Sequence, residues 1–126
     1  MKELINPYEL KETCPIIYAL SIIGQKWKIP ILWHLADEKR PLRYNELKRS
    51  IPTITNIMLT KSLQELEEHH LISRKQYDVV PPKVEYSLTK RGESLIPLLY
   101  QFHAWGQEQI DIDFEYYTKQ EKQPLK

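Results

Sequence analysis

The chain has 126 residues, of which 41% are hydrophobic and 28% charged, and its formal net charge is +1. That suits one domain able to bury about two-thirds of its unfolded surface, and it excludes a disordered polypeptide. No apolar run approaches the ~18 residues of a membrane-spanning helix, and Met1 to Leu10 lacks the apolar core of a signal peptide. The one cysteine, Cys14, allows no internal disulfide, so a cytoplasmic, reducing location is expected.

In chain order, residues 1–12 read as an N-terminal extension. Thr13 is a suitable N-cap and Pro15 suits a first helical turn. Ile16, Ile17, Ala19, Leu20 and Ile23 then predict a helix with a broad apolar face, closed by Gly24. Trp27, Ile31 and Leu35 recur at helical spacing and predict a second helix over about 26–36, with Pro30 tolerated early in it. A polar turn at 37–41 precedes a short helix over 44–50, with Leu47 and Ile51 inward and Arg43, Lys48 and Arg49 outward. Pro52 and Thr53 break that helix. Thr55 or Thr53 caps a fourth, whose stripe is Leu59, Leu63 and Leu66 and which reaches about His69.

The period then changes from helix to strand. Residues 72–77 and 84–88 alternate as strands around a loop at 78–82, whose paired prolines cannot join a ladder. Thr89 caps a long last helix through Leu95, Leu99, Phe102 and Trp105, with a kink expected at Pro97 and an interruption at Gly106. Residues 115–126 read as a polar tail, fraying from Tyr117 on. The fold expected is mainly α with a small β-hairpin wing: a winged helix-turn-helix over 13–114. Its DNA-binding core spans about 26–91. The apolar helices at about 13–24 and 89–114 are left to dimerise.

Charge supports that division. Residues 39–91 carry a net +5, residues 92–126 a net −3 and residues 1–38 a net −1. A basic middle between neutral or acidic ends is a modest electrostatic footprint for nucleic acid, and solvated surface explains it equally well. A helix fits the DNA major groove and a β-ribbon tip reaches the flanking backbone or minor groove.

Several segments in this order resemble the HxlR family of MarR-like bacterial winged helix regulators. They are Cys14-Pro15, Ile23-Gly24-Gln25-Lys26-Trp27, Ile31-Leu32-Trp33-His34-Leu35, Arg43-Tyr44-Asn45-Glu46-Leu47 and Met58-Leu59-Thr60. They continue with Leu63-Gln64-Glu65-Leu66-Glu67, Val80-Pro81-Pro82-Lys83-Val84-Glu85-Tyr86-Ser87-Leu88-Thr89 and Arg91-Gly92, so the resemblance covers about residues 13–106. It implies a homodimer held by the first and last helices, a DNA-reading fourth helix and a DNA-contacting wing. Ile57 departs from the polar or basic residue usual there, which suits a thymine methyl better than a polar contact.

Thr53, Thr55, Asn56, Thr60 and Lys61 are the candidates for base edges and nearby phosphates, against simple capping and solvation. Arg43, Lys48, Arg49, Arg74, Lys75 and Lys83 are candidates to neutralise phosphates, Lys83 foremost because it follows the wing tip. Arg91 is expected to brace the last helix. The partner expected is double-stranded DNA with a pseudo-palindromic operator. A winged helix used only for protein contacts is the alternative.

Trp27, Trp33 and Trp105 suit a core or dimer interface better than a ligand pocket. No spacing of His, Cys and carboxylates resembles a zinc site, and no constellation suggests an enzyme or a bound cofactor. Cys14 reads as a small packed hydrophobe or as a redox sensor. A helix N-terminus favours the reactive thiolate, and some HxlR-type regulators sense oxidants through a cysteine at this position. A small-molecule or oxidant effector is thereby accommodated.

Overall fold

The computed structural model describes residues 6–122. Its first element is a short helix, α1 (Pro7–Glu12), where the sequence suggests only an extension. Asn6 caps it by accepting from the Tyr8 N–H, and Pro7 occupies a first-turn position that needs no donor. Residues 1–5 of the expected extension lie outside the described residues.

Thr13 closes α1, donating its hydroxyl to the Glu9 carbonyl at 2.9 Å. It is therefore not the cap expected for the next helix. That position passes to Cys14, which begins α2 (Pro15–Ile23) without a side-chain capping bond. Gly24 closes α2, as read, with its N–H on the Leu20 carbonyl.

The helix-turn-helix core comprises α3 (Lys28–Glu38), α4 (Tyr44–Ser50) and α5 (Asn56–Glu68). Thr55, rather than Thr53, caps α5 by accepting the Met58 N–H at 3.1 Å. The wing pairs β1 (Ile72–Tyr77) with β2 (Lys83–Leu88) antiparallel, Ile72 opposite Leu88 and Tyr77 opposite Lys83. Leu42, just before α4, exchanges both backbone bonds with Tyr86 at 2.9 and 2.8 Å, which fastens the wing to the helix-turn-helix.

Thr89 caps a four-residue helix, α6 (Lys90–Glu93), and α7 (Ile96–Lys122) follows. The expected kink at Pro97 is absent because the break falls before it. Pro97 thus sits in the first turn of α7, where a missing N–H costs little. Gly106 does not interrupt α7, and the helix carries on through the expected polar tail to Lys122. Pairs at helical spacing support that stretch, Lys119 with Glu115 at 2.9 Å and Gln107 with Asp111 at 3.0 Å. Residues 123–126 lie outside the described residues.

One core joins these elements. Ile31, Leu32 and Leu35 of α3 meet Leu47, Leu59, Leu63 and Leu66, with Leu42, Leu71, Ile72 and Leu99 around them. Each of these in a well-packed core is worth about 2–5 kcal/mol against truncation to alanine. From α2 only Ile22 is buried, leaving Ile16, Ile17 and Leu20 exposed. On α7, Leu98, Phe102, Trp105, Ile110 and Phe114 are exposed likewise. Among the described residues, no helix is long and apolar enough to cross a membrane.

Candidate nucleic-acid interface

The buried stripe Leu59, Leu63 and Leu66 turns the opposite face of α5 to solvent. That face carries Asn56, Ile57, Thr60, Lys61 and Gln64, all exposed. Of the residues singled out in the sequence, Asn56, Thr60 and Lys61 therefore share one surface. Thr55 is exposed beside them, with its oxygen engaged as the cap. Ile57 is 78% exposed and so stands ready for an apolar contact. Thr53 lies in the turn before α5, exposed, with φ of 73°.

The cations separate into free and engaged. Arg43 precedes α4, and its backbone N–H goes to Glu46 Oε1 at 3.1 Å while its side chain is exposed. Arg40 grips the same carboxylate at 2.7 Å. The Arg40 hydrogen bond first, and the Arg43 N–H second, hold the Glu46 carboxyl below the ordinary range. Arg49 is exposed on the same short helix.

Lys48 differs from its expected outward role. It is half-buried, with Nζ donating to the Ile54 carbonyl at 3.3 Å, which ties down the turn between α4 and α5. On the wing, Arg74 is exposed and reaches Gln76 at 3.4 Å. Lys83 is half-buried, 3.9 Å from Glu85 and 4.7 Å above the Tyr77 ring, so its charge is partly compensated. The wing tip itself presents Val79 and Val80, the latter 99% exposed. Arg91 donates to the His69 carbonyl at 2.8 Å and braces α6 against the end of α5, as read.

Two residues important to this surface escaped the sequence reading. Tyr44 packs its ring on the core while its hydroxyl reaches Asn56 and Thr60 of α5. Lys28 is buried and paired with Glu65 of α5. The available signals were an aromatic with a polar end opening α4, and a lysine set inside the apolar run from Trp27 to Ile31.

Trp27 and Trp33 pack against the core, and Trp33 stacks on His103 with ring centroids 4.3 Å apart. Trp105 is exposed. Cys14 is a free, exposed thiol at the start of α2. Among the described residues, no group of three or more His, Cys, Asp or Glu could hold a metal ion.

Comparison with known proteins agrees with this geometry. The HxlR-like helix-turn-helix family matches residues 22–114. An uncharacterized HTH-type transcriptional regulator of Bacillus subtilis, YybR, is 45% identical over 112 residues, 89% of this chain and 88% of that protein. The solved redox regulator HypR in its reduced form superposes with a TM-score of 0.73 at 42% identity, covering 82% of this chain and 100% of that one. Diamide-treated YodB from B. subtilis superposes at 0.60 with 31% identity, covering 76% of this chain and 94% of that one.

Proposed function

The chain belongs to the HxlR-like helix-turn-helix family of transcriptional regulators, and from that premise we propose that it is a homodimer reading a pseudo-palindromic DNA operator. The observation that carries this is the solvent face of α5: Asn56, Ile57, Thr60, Lys61 and Gln64 project from one helix whose other side is buried in the core. A helix so presented enters a major groove. Arg43 and Arg49 beside it, with Arg74 on the wing, meet the phosphates. Thr53 contributes at the margin, as do Lys48 and Lys83, each of these two lysines partly held by the protein itself. The core at about 26–91 supplies the reading module, and the exposed apolar faces of α2 and α7 supply the dimer. Half-sites then lie about 34 Å, one helical turn, or a multiple apart.

A titration of the full chain against selected and random duplexes over a salt series tests this. A selected half-site bound far above random DNA, with affinity falling steeply with salt, is expected. Salt-insensitive or undetectable binding would point instead to a winged helix used for protein contacts.

A second reading concerns the signal. Cys14 is exposed and sits on the helix whose apolar face is offered to a partner, so a bulky oxidation product there alters how two protomers meet. The likeness to the redox regulator HypR supports oxidants as effectors of this chain.

A further inference from the structure

Tyr44 is the first residue of α4, half-buried, with its ring against the core. Its hydroxyl leaves the core and meets three oxygens of α5: the Asn56 carbonyl at 3.1 Å, Asn56 Oδ1 at 3.2 Å and Thr60 Oγ1 at 3.3 Å. Asn56 and Thr60 are i, i+4 neighbours on the solvent face. We propose that Tyr44 is a positioning residue for sequence readout, its hydroxyl holding the Asn56 and Thr60 side chains in the orientation from which α5 meets base edges. This rests on the reading above that α5 faces DNA.

The chemistry is specific. A phenol has one proton to give and accepts in return. Shared between the Asn56 backbone carbonyl and Oδ1, that proton keeps Oδ1 turned towards Tyr44 and the Nδ2 amide nitrogen turned outward. Thr60 then donates to the phenol oxygen and presents its own lone pairs. The face offered is a donor at 56 and an acceptor one turn later. Free asparagine pairs in two-pronged fashion with adenine, giving to N7 and accepting from N6. With Oδ1 turned towards Tyr44, the outward amide N–H groups favour edges that only accept, guanine N7 and O6 or thymine O4. A rigid aromatic anchored in the core supplies this order before DNA arrives, so less side-chain freedom is lost on binding.

Tyr44→Phe removes the hydroxyl and keeps the ring, so the core stays filled. In the free protein, the Asn56 side-chain amide (identified by its loss in Asn56→Ala) is followed by nitrogen relaxation. It is expected to be ordered in wild type and mobile in Tyr44→Phe. In binding, Tyr44→Phe is expected to lose about tenfold in discrimination at the base facing Asn56. Preference there should move towards adenine, with random-DNA affinity and salt slope unchanged.

In an Asn56→Ala, Thr60→Ala background the same substitution is expected to change nothing further. A further loss in that background would mean that Tyr44 touches DNA itself, and would overturn the proposal. Unchanged Asn56 mobility, or unchanged discrimination, would overturn it as well. If wild type binds no DNA, the reading of α5 falls and takes the readout role with it. The relaxation measurement identifies that failure, because the ordered Asn56 amide would still be lost in Tyr44→Phe.

Discussion

Lys28 Nζ lies 2.9 Å from Glu65 Oε2 and 3.1 Å from the Ile22 carbonyl, so one buried ammonium joins the end of α2 to α5. The pair is lopsided, because the Lys28 side chain is 3% exposed and that of Glu65 is 25%. Glu65→Ala strands a buried cation and is expected to cost about 3 kcal/mol. Lys28→Met keeps the stem and leaves Glu65 Oε2 buried without its partner, but a carboxylate on a 25% exposed side chain can turn towards water, so the cost should be smaller, about 1–2 kcal/mol. Urea unfolding of both variants checks the order; equal losses would show that burial of Lys28 does not govern the pair.

His69 ends α5 beside that pair. Burial first, then the positive charges of Lys28 and Arg91, hold its imidazole below the ordinary value of 6.5. The unfolded chain thus takes up this proton at a higher pH than the folded one. The contribution to stability is fully present above 6.5 and is lost as pH falls through that value towards the folded one. Unfolding midpoints from about pH 7.5 to about pH 5 should fall for wild type and fall less for His69→Gln.

Thr53 is a β-branched residue at φ 73°, in the left-handed region that favours glycine. Thr53→Gly is expected to raise stability by about 1 kcal/mol through relief of that strain. The same variant reports on the hydroxyl: unchanged operator affinity would remove Thr53 from the DNA contacts.

Trp105 is exposed on α7 in line with Phe102 and other apolar residues. Light scattering of the wild type at micromolar concentration should give about twice the chain mass of 15.1 kDa. Trp105→Glu should move it to the single-chain mass with its helical circular dichroism intact. A monomeric wild type would remove the dimer and the palindrome together.

For Cys14, diamide is expected to change DNA affinity in wild type and to leave Cys14→Ser unaffected. With one cysteine in the chain, the oxidised product joins two chains or carries a small thiol, and non-reducing mass spectrometry distinguishes them. Oxidant-indifferent binding would return Cys14 to a packing role.

Much of this architecture was legible without coordinates, because the rules that set it act over one turn of chain. The stripe Leu59, Leu63 and Leu66 specifies a helix and its buried side together. The wing was legible as two short strands around paired prolines, but the expected alternation is not realised: Ile72 is buried and the next four residues of β1 are all exposed. Thr89 accepts its capping hydrogen bond from the Gly92 N–H three residues away, so it too could be read locally. Contacts between elements decided the rest. Thr13 was within reach of two helices, and only the folding of α1 made it a terminator.

Lys48 and Arg49 are adjacent basic residues of like appearance. The first is tied down because the next turn brings the Ile54 carbonyl to it, while the second is exposed. Tyr44 and Asn56 are 12 residues apart, and their hydrogen bond exists because the shared core sets α4 against α5. Periodicity determines which side of an element is buried. Which polar groups then meet is set by how the buried sides pack, and no local pattern encodes that.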